Sequence, residues 1–512
     1  RVSRGLGDVY KRQNNIDPND VIFIAHSTTQ ATNALLEGDV AEVGIIGMGK
    51  GGLGGILAKN QSKIDDIDLG TGRIIKVHHT YLKQKEVNEA NIEKAINELR
   101  GQGSNVIVAS KAFGVDDLTE ENEVKKVAEK YDIPVSVASE ISKLYGLTRR
   151  TRTAAINASI LPKMLETANS TEDSVRKAGI KVPLMIMRGD GGVMDISEMK
   201  KRPVLTMLSG PAASVVGALM YLRASNGIYF EVGGTSTNIG VIKNGRPAVD
   251  YSIIGGHPTY VNSLDVRVLG VAGGSMVRAS KEEVVDVGPR SAHIAGMPYA
   301  VYTPIEEIED PQVEFFSPKD GDPSDYVYIK LKNGKKITIT NSCAANVLGY
   351  VTPEHYSYGN PEAARKAIEP LAKYMNTTVE DVCEQILRKS YEKIRPVILE
   401  LAEKYKLEQD QISLVGVGGG VAALLPYTAK LMELGYSIPE NAEVISSIGV
   451  ALAMIRDVVE RVIPSPSKKD IADIKKEAAN MAIANGAVPD TVEVQIEIDS
   501  QTSRVTAIAL GS

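Results

Sequence analysis

Short apolar runs alternate with amphipathic segments along most of the chain, and this alternation predicts a mixed α/β fold. Residues 91–101, for example, place four apolar side chains at helical spacing on one face, which is typical of an amphipathic helix. Strands joined by helices in this order favour a parallel sheet with right-handed crossovers. The strands predicted in the first third of the chain are residues 21–26, 43–48, 106–110 and 133–139.

The pattern changes at several points that we interpret as loops or boundaries. The glycine-rich residues 49–55 are predicted to form a loop; a dinucleotide site there is disfavoured because the acidic residues that follow lie in a polar loop. The basic residues 149–152 indicate a solvated hinge, with an anion contact as the less favoured alternative, and a long helix follows. Residues 462–468 have the composition of a linker, after which a helix and a strand predict a small C-terminal α+β addition.

Residues 229–242 (YFEVGGTSTNIGVI) carry the most informative pattern, two apolar strands joined by a turn with few side chains. Glycines let the backbone approach a ligand closely, and turn amides can form a nest that binds anions. Glu231, just before the turn, is placed to hold a metal-bound water near phosphates. The alternative is an ordinary hairpin turn. The candidate phosphate contacts are Gly233, Gly234, Thr235, Ser236, Thr237 and Asn238.

Two polar residues follow predicted strands, at the sheet edge where α/β proteins bind ligands. His26 is a candidate to orient substrate or to act as general acid or base; the alternative is a capping and packing role for this segment. Asp190, flanked by glycines, suits the positioning of a metal or a water. Its alternative is a glycine turn that uses the aspartate for a local hydrogen bond to the backbone.

Two further glycine runs follow predicted strands. Gly418, Gly419 and Gly420 leave room for a flat ligand face against the backbone, and the alternative is close packing of helix on sheet. Gly273 and Gly274 form a similar loop. Asp265, on the strand before that loop, is a candidate for a metal or a substrate.

These segments form an ordered set that resembles the hydantoinase/5-oxoprolinase family. The resemblance is to the A-type subunit of ATP-dependent cyclic-amide hydrolases (hydantoin utilization protein A-like), which is related to the β subunit of acetone carboxylase. It spans roughly residues 14–462. The segments that carry it, besides the hairpin, are residues 25–38, 150–162, 187–194, 208–218, 264–276, 287–298 and 414–426.

The resemblance implies an α/β fold of the actin/sugar-kinase/Hsp70 type, in which two ribonuclease-H-like halves clasp a nucleotide. It implies ATP and Mg²⁺ as cofactors, a cyclic amide of hydantoin or 5-oxoproline type as substrate, a B-type subunit as partner, and an oligomer. The expected catalytic residues are His26, Asp190 and Glu231. The expected nucleotide contacts are the hairpin residues 233–238 and Gly418, Gly419 and Gly420. The expected substrate contacts are Thr28, Thr29, Asn33, Gly273 and Gly274, and the expected metal ligands are Asp190, Glu231 and Asp265.

Departures from the family pattern weaken the case for tight Mg²⁺ binding. The family has Asp where this chain has Glu231 and Asn238, and a Thr-Asp-Ala-Asn run where residues 343–346 are CAAN. Mg²⁺ prefers carboxylate support, so the loss of acidic groups matters. Two alternative functions therefore stay open: a non-catalytic ATPase switch or reactivating protein of the same fold, and a subunit similar to that of acetone carboxylase.

The pattern and the resemblance together predict four regions. Residues 1–13 are predicted to be a leader that does not belong to the fold, and residues 14–148 a shortened N-terminal domain. Residues 149–462 are the predicted catalytic domain, and residues 463–512 a C-terminal α+β segment. Family members begin earlier, with a hairpin of the form DxGGTxTD, so we expect an N-terminally truncated fragment that is inactive alone; a variant lacking that loop is the alternative.

Composition narrows the function classes. The formal net charge of −6 without a basic block argues against nucleic acid as main partner, and with no tryptophan, aromatic stacking on a base would depend on tyrosine. No apolar run is long enough to cross a bilayer, so no membrane role is expected. Two cysteines cannot build a disulfide framework, and the cytoplasm is the expected compartment.

Overall fold

The computed structural model describes residues 17–70, 72–222, 226–408 and 412–512. It is a mixed α/β structure, as the alternating pattern predicts. The predicted leader, residues 1–13, lies outside the described residues. None of the described helices combines the length and the apolar character needed to cross a bilayer.

The helices follow the predicted order, with one clear difference. Residues 49–55 were predicted to be a loop, but α2 begins inside them at Gly52 and runs to Ser62. The α-helices of the described chain are α1 (Gln30–Glu37), α2 (Gly52–Ser62), α3 (Glu89–Gly101), α4 (Thr119–Lys130), α5 (Ala138–Ile141), α6 (Leu147–Lys177), α7 (Ile196–Lys201), α8 (Ser209–Leu222), α9 (Asn341–Val347), α10 (Pro361–Tyr374), α11 (Val379–Lys404), α12 (Leu425–Met432), α13 (Ile445–Leu452) and α14 (Lys468–Ala484).

Strands occupy the predicted apolar runs, and many are short. Their bounds are β1 (Ile24–His26), β2 (Val43–Gly49), β3 (Ile67–Asp68), β4 (Ile74–Ile75), β5 (Val77–Lys83), β6 (Val106–Lys111), β7 (Val135–Val137), β8 (Leu184–Met187), β9 (Val193–Asp195), β10 (Gly227–Val232), β11 (Thr237–Lys243), β12 (Arg246–Pro247), β13 (Val249–Ile254), β14 (His257–Leu264), β15 (Val266–Leu269), β16 (Ser275–Ala279), β17 (Val284–Ser291), β18 (Gln312–Phe316), β19 (Tyr326–Lys330), β20 (Lys336–Ile337), β21 (Leu414–Val417), β22 (Tyr436–Ser437), β23 (Ile455–Val462), β24 (Glu493–Asp499) and β25 (Arg504–Gly511).

Contacts divide the chain into two compact units. Unit 1 comprises the described residues of Arg1–Ala212, Val249–Ser263 and Val450–Ser512, and unit 2 comprises those of Ala213–Ala248 and Leu264–Gly449. The predicted regions with boundaries near residues 14, 149 and 463 remain a sequence-based prediction, as does the likeness of the two halves to ribonuclease H.

Unit 1 contains a parallel four-stranded sheet and a mixed six-stranded sheet. The parallel sheet has the order β5-β2-β6-β7, as the alternating pattern predicts, and the mixed sheet has the order β1-β8-β9-β23-β25-β24. The last two strands of the chain thus extend the sheet that begins at β1, and α14 packs on them. The C-terminal segment is therefore not a separate addition, although it consists of a helix and strands as predicted.

The arginines predicted to form a solvated hinge lie inside the first turns of α6. Arg150 is buried and donates hydrogen bonds to the carbonyls of Leu144 and Lys111, both at 2.9 Å. The guanidinium of Arg149 stacks on the rings of Tyr251 and Tyr260, at 4.8 and 4.4 Å from their centroids. The hinge prediction is wrong because these side chains bind backbone carbonyls and aromatic faces within unit 1.

Unit 2 is built on two sheets. The first has the order β12-β11-β10-β21-β22, with β15 also paired to β11, and the second has the order β17-β16-β19-β18, with β20 paired to β19. Strand β10 runs parallel to β21 and antiparallel to β11. The core covers one face of the first sheet, where Ile228, Phe230 and Val232 of β10 are completely buried. The opposite face of β10 carries Tyr229 and Glu231, so strand alternation decides that Glu231 points away from this core.

Candidate functional site

The predicted hairpin is present and places its glycines at an exposed tip. Strands β10 and β11 pair from Gly227 to Val232, and the Gly233 amide donates to the Ser236 carbonyl, at 3.1 Å, across the turn. Gly233 and Gly234 are exposed. A turn of this shape, with little side-chain bulk, is accessible to a ligand's anionic groups.

The hydroxyl groups that follow the two glycines differ in accessibility. Thr235 and Ser236 are half-buried, and the Thr235 hydroxyl lies 3.1 Å from that of Ser291. Thr237 is completely buried, and its hydroxyl donates to the Val271 carbonyl, at 2.6 Å. The geometry therefore argues against the predicted phosphate contact for Thr237, because its donor is already used inside the protein.

The predicted glycine runs converge on this hairpin through their backbones. The amides of Gly273 and Gly274 donate to the carbonyls of the two hairpin glycines, at 3.2 and 3.1 Å. The Gly420 amide donates to the Val232 carbonyl, at 3.0 Å. A Cβ atom built on Gly420 would lie 2.5 Å from the carbonyl oxygen of the first hairpin glycine. Close packing of three turns thus explains several of these glycines without a ligand.

One of these turns, residues 418–420, borders a cavity of about 610 Å³ in unit 2. Its lining includes Gly418 and Gly419 at the end of β21, Tyr356, and Asn441. Tyr356 is 72% exposed, and its ring lies so close to Gly419 that a Cβ atom there would come within 2.8 Å of a ring carbon. The cavity therefore presents an aromatic ring beside a bare backbone.

Glu231 is a half-buried carboxylate that neutral groups hold in place. It accepts a hydrogen bond from the Ser214 hydroxyl, at 2.6 Å, and one from the Asn238 side-chain amide, at 2.9 Å. Glu231 and Asn238 are directly opposite each other in the hairpin register. No ion pair to Glu231 occurs within the described parts of the chain. Its negative charge is thus oriented but not neutralised.

Asp265 has a different environment, although it was predicted as a metal ligand too. Its carboxylate accepts hydrogen bonds from Lys404 and Arg267, both at 2.6 Å, and from the Tyr405 hydroxyl, at 2.5 Å. Burial alone would raise the pKa of Asp265, but these donors, led by Lys404, hold it below its ordinary value. Because two cations already neutralise this carboxylate, the arrangement does not favour a metal there.

Asp190 lies in unit 1, at the turn between β8 and β9, and is also paired with cations. One carboxylate oxygen accepts from Arg188, at 2.9 Å, and from Arg456, and the other accepts from the Gly192 amide, at 3.2 Å. Burial raises the pKa of Asp190, but the charges of Arg188 and Arg456 bring it below its ordinary value. The bond to Gly192 is the local turn bond of the alternative interpretation, so the contacts favour a structural role over a metal site.

The structure brings the predicted residues of unit 1 to one end of a sheet. His26 ends β1 and is exposed, and in the parallel register it faces Ile186 of β8, the strand that leads to Asp190. Thr28 and Asn33 follow His26 on the same connection. The Thr28 hydroxyl accepts from the Gln30 amide, at 3.2 Å, where α1 begins.

These threonine-rich residues make several structural hydrogen bonds. The Thr28 carbonyl accepts from the Ser209 hydroxyl, at 2.7 Å, and the Asn33 side-chain amide donates to the Thr29 hydroxyl, at 3.3 Å. Capping and packing therefore account for the contacts of Thr28, Thr29 and Asn33, whose predicted substrate role stays a prediction, as does the catalytic role of His26.

Sequence reasoning missed Tyr356, Asn441 and Ser214. The composition gave one indication of Tyr356: with no tryptophan and few phenylalanines, a residue that stacks on a base is expected to be a tyrosine. No spacing in the sequence links residue 356 to residue 419, and only the folded unit 2 places them together.

Comparisons with known proteins identify the family. Residues 150–459 match the hydantoinase/oxoprolinase family model, and residues 2–132 match the model of the N-terminal region of that family. A curated relative, the caprolactamase subunit alpha of Pseudomonas jessenii, is 27% identical over 214 residues, which cover 40% of this chain and 30% of that protein. The chain spans 56% or less of the lengths of the first curated relatives it matches.

Two solved structures share the fold. The ATP-dependent caprolactamase from Pseudomonas jessenii superposes with a TM-score of 0.70 at 18% identity, covering 100% of this chain and 82% of that one. A nucleotide-free acetone carboxylase superposes with a TM-score of 0.60 at 15% identity, covering 95% of this chain and 79% of that one. The resemblance inferred from the ordered motifs is thus confirmed, and the chain belongs to the hydantoinase/oxoprolinase family.

Proposed function

We propose that this chain uses ATP to open a cyclic amide of hydantoin or 5-oxoproline type. Membership of the hydantoinase/oxoprolinase family supports the reaction class, and the fold shared with a protein described as an ATP-dependent caprolactamase supports the use of ATP. The single observation that carries the proposal is the exposed glycine hairpin of unit 2, which is hydrogen-bonded to a glycine turn that borders the 610 Å³ cavity.

The hairpin tip fits the phosphate groups of a nucleotide. Gly233 and Gly234 are exposed, and a Cβ atom on Gly234 would lie 3.2 Å from the Tyr299 hydroxyl. The absence of side chains lets a ligand approach the backbone closely at this tip. Thr235 and Ser236 add hydroxyl groups next to the tip. These residues would orient the phosphates without supplying charge.

The cavity fits the adenosine part. Its volume lies within the range of about 300–1,000 Å³ that is typical of small-molecule sites. Tyr356 packs against Gly419 and is largely exposed, so its other face is available for a base to stack on. We assign base stacking to Tyr356, with Gly419 as the backbone that its ring packs on.

Glu231 is the carboxylate we assign to a metal-bound water. Mg²⁺ keeps several waters and takes about one or two carboxylates together with substrate phosphates. Among the three carboxylates predicted as ligands, Asp190 and Asp265 pair with cations, whereas the donors to Glu231 in the described part of the chain are neutral. A metal held mostly by water and phosphate would compensate for Asn238, which stands where the family has Asp.

When bound, ATP supplies a phosphoryl group to the amide oxygen, which makes the ring carbon electrophilic and provides phosphate as leaving group. The chain's own contribution is to hold the phosphates at the hairpin and to preorganise donors around them. We further propose that a B-type subunit completes hydrolysis of the carbon–nitrogen bond.

Carboxylation is the second candidate, because the fold is shared with a protein described as performing ATP-dependent acetone carboxylation. Turnover of ATP in the presence of each substrate separates the candidates. An amide hydrolase requires a cyclic amide, a carboxylase requires bicarbonate and a ketone, and a non-catalytic switch turns over ATP regardless of both.

Tyr356 provides the direct test of the site. We expect Tyr356→Ala to weaken ATP binding about tenfold, since loss of one stacked base costs about 1–3 kcal/mol, and Tyr356→Phe to retain it. Isothermal titration calorimetry measures both, and Tyr436→Ala, at another exposed tyrosine of unit 2, is the matched control. If Tyr356→Ala and the unmodified chain bind ATP with equal affinity, the cavity is not the adenosine site.

A further inference from the structure

A tyrosine hydroxyl lies against two of the glycine turns of unit 2. A Cβ atom built on Gly274 would come within 1.9 Å of the Tyr299 hydroxyl oxygen, and one built on Gly234 would lie 3.2 Å from it. The hydroxyl therefore occupies space that side chains would fill if either turn lacked its glycine. It lies next to the tip of the hairpin, where both glycines are exposed.

The Tyr299 hydroxyl is not used inside the protein. Tyr299 is half-buried, and its backbone carbonyl accepts from the Tyr302 amide, at 3.1 Å, and from the Thr303 hydroxyl, at 3.0 Å. Its own hydroxyl has no hydrogen-bond partner among the described residues, and unlike the hydroxyl of Tyr229 it is not shut off from solvent. A tyrosine hydroxyl that meets solvent without a protein partner is a donor available to a ligand.

The hairpin tip adds backbone donors beside this hydroxyl. The Gly233 amide donates to the Ser236 carbonyl across the turn, but the amides of Gly234, Thr235 and Ser236 donate to no acceptor in the described chain. Consecutive amides that are free in a turn attract an anion. Hydroxyl and amides together form a set of donors that has no acceptor within the described structure.

The donors around the tip are neutral. No lysine or arginine of the described residues makes a hydrogen bond to residues 233–238, whose side chains bond instead to Ser291, to the Val271 carbonyl and to Glu231. Burial raises the pKa of Tyr299, so its hydroxyl keeps the proton at neutral pH and can donate it in a hydrogen bond. Recognition of an anionic group at this tip therefore depends on hydrogen bonds rather than on a positive side chain.

We propose that the Tyr299 hydroxyl donates a hydrogen bond to a phosphate oxygen of the nucleotide at the hairpin tip. This assignment rests on the proposed function and deepens it, because it names the side chain through which the site recognises phosphate. Tyr299 distinguishes a phosphorylated nucleotide from the nucleoside, whereas Tyr356 contacts the base that both ligands share. It also accounts for Gly274, since a methyl group there would displace the hydroxyl.

The affinities of ATP, ADP, AMP and adenosine for the unmodified chain and for Tyr299→Phe test this assignment. Phenylalanine keeps the ring and its packing on the ring of Tyr302, whose centroid is 5.5 Å away, and removes only the hydroxyl. We expect titration calorimetry with Mg²⁺ to show an ATP affinity about tenfold lower in Tyr299→Phe and an unchanged affinity for adenosine. The shortest nucleotide whose affinity falls identifies the phosphate that Tyr299 contacts.

Tyr302→Phe is the matched control, because the Tyr302 hydroxyl already donates to the Ser357 carbonyl, at 3.0 Å, within the protein. Its loss should lower the free energy of unfolding and leave the ratio of ATP affinity to adenosine affinity unchanged. Tyr299→Phe should show the reverse, with the free energy of unfolding unchanged, as measured by urea denaturation. A clear loss of stability in Tyr299→Phe would mean that its hydroxyl serves the fold, and would contradict the assignment.

Two binding results would overturn the role of Tyr299: equal ATP affinity of Tyr299→Phe and the unmodified chain, or a loss that is equally large for ATP and adenosine. If Tyr356→Ala weakens ATP binding and Tyr299→Phe does not, the nucleotide site stands and the phosphate contact of Tyr299 alone is rejected. If the unmodified chain binds no ATP, the proposed nucleotide site is rejected, and the phosphate contact with it.

Discussion

The glycine turn that carries Asp190 in unit 1 and the glycine turn that follows Glu231 in unit 2 are similar in sequence, but they differ in burial and in the charge around them. Asp190 is completely buried and pairs with two arginines. Glu231 is half-buried, receives hydrogen bonds from a hydroxyl and an amide, and precedes two exposed glycines.

This difference shows which feature separates a structural carboxylate from a candidate metal ligand. Both turns have a carboxylate near glycines, so this feature does not distinguish a structural carboxylate from a metal ligand. A cation that neutralises the carboxylate leaves little electrostatic attraction for Mg²⁺, whereas neutral donors orient the charge and preserve it. Asp265, paired with Lys404 and Arg267, belongs with Asp190 by this criterion.

The largest expected effect comes from removing the buried carboxylate. Asp190→Ala leaves Arg456 without this counter-charge and Arg188 with the more distant carboxylate of Asp457, at 4.0 Å, and we expect the free energy of unfolding to fall by about 3–5 kcal/mol. Urea denaturation followed by circular dichroism measures this. Asp39→Ala, at an exposed pair with Lys163, is the control and should cost less than about 1 kcal/mol. Unchanged stability together with lost Mg²⁺-dependent ATP binding would instead make Asp190 a metal ligand.

An intermediate effect is expected from the glycine turns of unit 2. Gly418 has a φ of +91°, and a Cβ atom there would press on the Val232 carbonyl. We expect Gly418→Ala to lower the free energy of unfolding by about 1–2 kcal/mol from the left-handed backbone alone, and to weaken ATP binding as well.

Gly435→Ala is the control for this substitution, because its Cβ atom would enter open space within the same unit. If Gly418→Ala matched Gly435→Ala in both stability and ATP affinity, the close packing of the three turns would be irrelevant to the site.

The smallest effect on stability is expected at Glu231. The amide oxygen of Glu231→Gln can still accept from Ser214, so the free energy of unfolding should change by no more than about 1 kcal/mol. The lost charge should reduce the gain in ATP affinity that Mg²⁺ produces, as measured by calorimetry with and without the metal.

Asp265→Asn should give the opposite result, because the carboxylate of Asp265 pairs with Lys404 and Arg267. We expect a lower free energy of unfolding and an unchanged gain in ATP affinity with Mg²⁺. If Mg²⁺ increases the ATP affinity of Glu231→Gln as much as that of the unmodified chain, Glu231 does not bind the metal. None of the three predicted carboxylates would then be a metal ligand.

Local patterns predicted the elements well where neighbours in the sequence are also neighbours in space. The hairpin of residues 229–242 is one example, because its strands and its turn are consecutive. The sequence-based predictions are wrong where residues that are distant in the sequence determine the local structure. The glycines of residues 49–55 begin a helix, the arginines of residues 149–152 find aromatic and carbonyl partners elsewhere in unit 1, and the C-terminal strands join the sheet of β1.

By itself, the sequence determined the family, the mixed α/β class and the position of the glycine hairpin, because these follow from ordered motifs and from periodicity along the chain. Only the tertiary structure decided which carboxylates are paired with cations: Arg456 reaches Asp190 from 266 positions away in the chain, and Lys404 reaches Asp265 from 139 positions away. Electrostatic neutralisation depends on distance in space, and no local pattern of residues records that distance.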